Sequence, residues 1–303
     1  MAGCSHRVGR GPLCFAARVP YTALTMELAF ALLAGLAIGS FLNVCISRMP
    51  LAESIVRPRS RCPHCRKPVA AYDNIPVLSY LLLGGKCRHC RRKISFRYPG
   101  IELLTAAVSA LLYFKFGLGL HWFIFFAFCA AQIVLVFIDA DHRILPDPIT
   151  LNGIWVGILA SLLLAQPSSF AASALRLAGI GATNPRLVAL AASILGAVVG
   201  GGLLWLVGEI FYRVRGIEGL GFGDVKMMAM VGAFLGAPLA LFTILVGSVV
   251  GSVVGLVLIR FSGKTREYEL PFGTFLGFAA ILAVLYGDCL LQLYMDSLRG
   301  AVL

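Results

Sequence analysis

The sequence predicts an all-α, polytopic membrane protein of about eight transmembrane helices, with a small cytoplasmic zinc-ribbon-like loop. Three observations predict it. Of 303 residues, 59% are hydrophobic and only 13% charged, whereas soluble domains run to roughly 45–50% apolar and 25% charged; the mean hydropathy is +0.88. Apolar runs recur along the chain, each near the ~20 residues that a helix needs to cross a ~30 Å hydrocarbon layer with its backbone bonded internally. Four of the nine cysteines gather in one basic interval.

Taken in order, the apolar runs place spans at 27–47, 99–116, 120–138, 149–165, 187–211, 225–237, 238–259 and 270–293. The sixth is too short to cross alone and meets the seventh at Gly236-Ala237-Pro238, so a tight hairpin and a total of seven crossings are both open. Orientation follows from Lys and Arg, which are retained on the cytoplasmic side. Twelve of the 26 lie between Arg48 and Arg97. With that loop inside, eight crossings also bring Arg143, Arg213, Arg215, Lys226, Arg260, Lys264 and Arg266 inside and leave Lys115, Arg176, Arg186 and Arg299 outside. The net charge of +12 is therefore an orientation signal rather than a nucleic-acid footprint. Membrane lipid is the expected surrounding and no nucleic acid is expected as a partner.

Arg7, Arg10 and Arg18 break the pattern, because they precede the first span and would lie outside. Met26 stands directly before the apolar run. Residues 1–25 read either as a disordered extension or as a start placed too early, with Met26 the true one. The loop at 166–186, rich in Ala, Ser and Gly, reads as a flexible connection without chemistry.

Cys62-Pro63-His64-Cys65 and Cys87-Arg88-His89-Cys90 are two Cys-x-x-Cys knuckles with 21 residues between them, one beyond the usual zinc-ribbon range. Four thiolates, Cys62, Cys65, Cys87 and Cys90, close a tetrahedral shell at ~2.3 Å and leave no open position, so the expected zinc is structural. Disulfides are the rival, opposed by a reducing cytosol. His64 or His89 substituting for a cysteine is a further alternative. Cys45, Cys129 and Cys289 lie in apolar spans and read as small core residues.

Ionisable groups in or beside membrane spans are costly and mark function. The third span runs into Asp139-Ala140-Asp141-His142-Arg143-Ile144-Leu145-Pro146-Asp147. The sixth opens on Gly221-Phe222-Gly223-Asp224-Val225-Lys226, where glycines permit close backbone approach. Asp139 and Asp224 are 85 residues apart, but an even number of crossings separates them, so they share a membrane face. Two carboxylates meeting in a partly dry site can hold a water between a general base and a general acid, which is aspartyl protease chemistry. The alternatives from spacing are pairing of each acid with Arg143, Lys226 or Arg215, helix capping, or proton relay in a transporter.

At these residues the chain resembles the type IV prepilin peptidase family, bifunctional leader peptidases and N-methyltransferases. The resemblance rests on five motifs in order: Gly39-Ser40-Phe41-Leu42-Asn43-Val44 with Arg48-Met49-Pro50; the paired knuckles; Ser95-Phe96-Arg97-Tyr98-Pro99 leading into Glu102; the segment from Asp139 to Asp147; and Gly221-Phe222-Gly223-Asp224. It implies that Asp139 and Asp224 are the catalytic pair, with Asp141 and Asp147 beside them. It implies type IV prepilins or pseudopilins as substrates, cut at the cytoplasmic face of a bacterial inner membrane. It also implies S-adenosylmethionine as methyl donor for the new N-terminus. Domains follow as a first helix at 26–47, a zinc loop at 48–98 and a transmembrane peptidase domain at 99–303.

The methyl-transfer half rests on the resemblance, since no Gly-x-Gly-x-x-Gly follows a strand. Gly200-Gly201-Gly202 reads as helix packing. Glu102 is open to contact with the methyl donor or substrate amine, or to helix capping. The segment Leu270 to Leu276 is expected to shape a groove near the site. A proton-coupled transporter and a non-catalytic assembly protein with a zinc loop remain as rivals.

Overall fold

The structure, a computed structural model, describes residues 21–164, 184–217, 219–262 and 270–301. Residues 1–20 and most of the predicted loop at 166–186 lie outside the described residues. The elements are α1 (Tyr21–Arg48), a short α2 (Leu78–Leu82), α3 (Arg97–Phe116), α4 (Leu120–His142), α5 (Asp147–Leu164), α6 (Pro185–Arg215), α7 (Phe222–Ser262) and α8 (Phe272–Ala301). Among the described residues there are no strands beyond two isolated bridges, Arg61 with Pro68 and Lys86 with Lys93.

The helix ends carry ordinary stop signals. Asn184 caps α6, its Oδ1 accepting from the Arg186 N–H at 3.0 Å, with Pro185 at the first helical position where its missing N–H costs nothing. Gly216, at φ 70°, closes the same helix. Arg143 closes α4 in the left-handed region, and its N–H bonds back to the Asp139 carbonyl at 2.8 Å.

Seven helices among the described residues are long and apolar enough to cross a membrane. One of them, α7, is two passes. Its helical geometry breaks at Gly236, where φ 77° and ψ 171° suit only glycine. A Cβ placed on Gly200 of α6 would touch both the Met228 carbonyl and the Ala240 side chain. Those residues would be about 18 Å apart along a straight helix, so the chain must fold back between them. The hairpin read at Gly236-Ala237-Pro238 is therefore present, and the described helices make eight passes. Its first limb, 222–235, rises only about 21 Å, less than the ~30 Å hydrocarbon thickness.

Close approach at glycines sets the packing. Gly35 and Gly39 of α1 let Ala106 and Glu102 of α3 approach so nearly that a Cβ would meet their Cα atoms at 2.5 and 2.7 Å. Ser109 donates to the Ala31 carbonyl at 2.6 Å and Trp122 Nε1 donates to the Ser109 carbonyl at 3.0 Å, tying α1, α3 and α4. Gly200 and Gly201 lie against Met228, Ala229 and Val225 of α7, so these two do the packing expected of them, whereas Gly202 faces open space. The second limb of α7 runs antiparallel to α8, Gly247 against Leu276, Gly251 against Phe275 and Gly255 against Leu270.

These reversals bring the end of α4, the start of α7 and the start of α8 to one level. The cysteine loop, between α1 and α3, joins them there. Arg97 at the head of α3 donates to the Phe137 carbonyl of α4 at 3.3 Å and pairs with Asp141.

Candidate active site

Asp139 occupies the last turn of α4 and Asp224 the first turn of α7, both buried. Gly273, in the first turn of α8, lies between them. A Cβ built on it would stand 2.9 Å from Asp224 Oδ1 and 3.1 Å from Asp139 Cγ. Laid end to end, those distances put the two carboxyl groups no more than about 6 Å apart. A single water can touch both across such a gap. Thr274 orients one of the pair: its backbone N–H donates to Asp139 Oδ2 at 2.6 Å and its hydroxyl to the same oxygen at 2.9 Å. Leu145 closes the site from the α4–α5 connection, within contact of Gly223 and Gly273.

Two neighbouring cations pair with other acids. Lys226 pairs with Asp147 at 2.7 Å and Arg97 with Asp141 at 2.5 Å. Asp141 and Asp147 thus hold the surrounding helices together, and the pairing of Lys226 with Asp224 that spacing allowed is not what the structure has.

The four cysteine sulfurs of Cys62, Cys65, Cys87 and Cys90 all lie within 4.8 Å of one another, and the Cys62 and Cys90 Sγ atoms are 3.8 Å apart. Thiolates around tetrahedral zinc at about 2.3 Å stand about 3.8 Å apart, so the cluster fits the ion. The knuckles repeat one backbone pattern. Cys62 N–H bonds to the Lys67 carbonyl and Cys87 N–H to the Arg92 carbonyl, while Arg66 and Arg91, both at φ 57°, bond back to the cysteine carbonyls. Backbone N–H groups of Cys90 and His89 aimed at Cys87 hold its thiol down at about 6, which favours the thiolate a metal requires. Arg88 anchors the second knuckle by two bonds to Asp73, at 2.7 and 2.5 Å. Among the other cysteines, Cys45 and Cys129 are buried and Cys289 half-buried, as their apolar spans suggested.

Comparison with known proteins decides what these two sites belong to. Residues 33–116 match the bacterial peptidase A24 N-terminal domain and residues 126–256 match the type IV leader peptidase family. A Burkholderia pseudomallei (strain 1026b) protein named prepilin leader peptidase/N-methyltransferase is 36% identical, over 93% of this chain and 92% of its own length. The chain belongs to the type IV leader peptidase family. Proteins of the same name from Stutzerimonas stutzeri and Pseudomonas aeruginosa are 34% and 33% identical, each over 89% of this chain and 94% of their own length. No solved structure matches the chain. It is a multi-pass membrane protein of that family.

The first family segment includes the cysteine loop and the helices it rests on, and the second includes both aspartates. Between the loop and the adjoining ends of α1 and α3 opens a cavity of about 1140 Å³. Glu102 lines it, buried, its Oε2 accepting from the Val77 N–H of the loop at 2.8 Å. That bond leaves its own helix, so Glu102 is not a cap for α3. Asn43, also buried, donates to the Tyr98 carbonyl at 3.1 Å and to the Gly39 carbonyl at 3.3 Å. Two residues of the aspartate site escaped the reading of the sequence by role. Gly273 and Thr274 stand in the Pro271-Phe272-Gly273-Thr274 stretch marked only as a groove-former, and a threonine at a helix start carries no signal for orienting an acid 135 residues away.

Proposed function

We infer that the chain cleaves the basic leader peptide of type IV prepilins and pseudopilins and methylates the N-terminus it frees. The observation that supports this best is the approach of the Asp139 and Asp224 carboxyl groups across Gly273. In this reading they are the catalytic pair. One carboxylate takes a proton from a water held between them as the water oxygen attacks the scissile carbonyl; the other, protonated, donates to the carbonyl oxygen. The proton taken from water then passes to the leaving nitrogen as the bond breaks, and a hydroxyl of the collapsing tetrahedral intermediate returns a proton to the second acid. Thr274 keeps Asp139 aimed, and Leu145 restricts bulk water.

The active site faces the cytoplasm of a bacterial inner membrane, because the basic cysteine loop lies on the same side. A substrate with a positive leader and an apolar transmembrane segment meets acids at that boundary without leaving the bilayer. The transporter and assembly-protein readings are not favoured, since the relatives are named as peptidases. The domains fall as a helix at 26–47, the zinc loop at 48–98 and the peptidase domain from 99. S-adenosylmethionine supplies an electrophilic methyl group, and the chain provides a cavity of about 1140 Å³ between the cysteine loop and the ends of α1 and α3, large enough to admit such a molecule. Incubating the purified protein with a prepilin and S-adenosylmethionine, then weighing the product, tests both halves: the leader must be lost and the mature chain must gain one methyl mass. An uncut prepilin would refute the reading.

Zinc is structural in this scheme and holds the loop against α1 and α3. Cys87→Ser is expected to lower zinc from one per chain to near none and to open the loop to proteolysis, because binding energy at such sites is folding energy. Elemental analysis under reducing conditions, with limited proteolysis, checks it; full zinc content in the variant would overturn the four-cysteine assignment.

A further inference from the structure

We propose that the cavity between the cysteine loop and the ends of α1 and α3 binds the methyl donor, with the Glu102 carboxylate as the counter-charge for its cationic sulfur. The proposal rests on the methyltransferase reading above and adds the site to it. The cavity's volume, about 1140 Å³, lies just above the range of about 300–1,000 Å³ usual for small-molecule sites, so a nucleoside and an amino acid fit in it together. Its lining has the chemistry a nucleoside-bearing sulfonium amino acid requires. Tyr80 and Tyr98 give aromatic faces, Arg57 gives a cation for a carboxylate, and Ser40 and Asn43 give polar groups from α1.

Of the three acids in that wall, Glu53, Asp73 and Glu102, Glu53 is exposed to solvent and Glu102 is the buried one. Its partners among the described residues, the Val77 N–H and the Ser40 hydroxyl, are neutral. Asp73, another acid of the lining, is already paired with Arg88. A buried carboxylate without a cation is costly to keep, and a ligand carrying positive charge removes that cost. The basic leader of a prepilin is a poorer occupant, since more Arg and Lys than Asp and Glu line the cavity. A small molecule with both charges meets both.

Position supports the same occupant. Tyr98 belongs to the cavity wall, and the residue before it, Arg97, bonds to the Phe137 carbonyl and to Asp141 on either side of Asp139. The first turn of α3 thus separates the two sites. An amine released at the aspartates reaches the methyl donor without leaving the enzyme.

Glu102 has a structural task too, because it holds Val77, a β-branched residue at φ 59°. Glu102→Gln retains an oxygen acceptor for that N–H while removing the charge. The test is equilibrium dialysis of labelled S-adenosylhomocysteine and S-adenosylmethionine against the full chain in detergent, with zinc content as a measure of the fold. Glu102→Gln is expected to weaken S-adenosylmethionine, the cation, at least tenfold, and the uncharged thioether product much less. Ser40→Phe, which fills the cavity from α1, is expected to weaken both. Wild-type affinity for both ligands in both variants overturns the site alone, leaving methyl transfer elsewhere in the chain. No binding by the wild-type chain overturns the methyltransferase reading and the site with it. A raised KM for prepilin with unchanged ligand affinity gives the cavity to the leader and overturns the proposal as well.

Discussion

Asp139→Asn and Asp224→Asn are each expected to lower kcat/KM for prepilin cleavage by about 10³-fold or more, the upper part of the range for loss of a positioned acid or base. Asparagine keeps the size of the side chain and, at 139, an oxygen for the two Thr274 donors at 2.6 and 2.9 Å. What it removes is the ability to take or give a proton. The two substitutions should be strongly non-additive, since the pair acts on one water and losing either member ends the reaction. Zinc content should stay near one per chain. A pilin supplied already cleaved should still be methylated by both variants, because its amine needs no proteolysis. Normal cleavage by both variants would remove the aspartyl assignment.

Gly273→Ala is expected to lower kcat by about 10²-fold, with the larger part of the loss in turnover rather than in KM. The added methyl would stand 2.9 Å from Asp224 Oδ1, 3.0 Å from Leu145 Cδ1 and 3.1 Å from Asp139 Cγ. Three neighbours from three elements cannot all be relieved by one rotation. The carboxyl groups must move apart or the head of α8 must shift, and displacement of about 1 Å at reacting groups costs about that factor. Turnover at the wild-type rate in this variant would mean that the carboxyl groups do not work across Gly273. Gly202 in α6, which faces open space, marks the contrast: alanine there meets nothing.

Much of the architecture is legible in composition and pattern. The apolar runs locate the spans to within a few residues, because a bilayer forces each to be long, apolar and internally bonded. The exception is instructive. The run at 225–259 is continuous in hydropathy, and its reversal at Gly236 depends on one backbone angle and on what Gly200 can admit, neither of which hydropathy records. The cysteine cluster is likewise legible, since four thiols at such a spacing have few other uses in a reducing compartment. Its duplicated backbone pattern, with arginines at φ 57°, is not, because arginine carries no signal for a left-handed turn.

The amino-acid order by itself determined which side chains are chemically able to act: two acids beside membrane spans, four thiols in a basic loop, and a motif series that places the chain in a family. Tertiary structure alone decided which of the acids face one another. Of the acidic groups near that boundary, Asp141 and Asp147 are taken up by Arg97 and Lys226, while Asp139 and Asp224 meet across a glycine from a third helix. The reason is geometric. A pairwise distance between residues 85 positions apart depends on how three helices cross, and those crossings are set by close contacts at glycines whose partners lie on other helices.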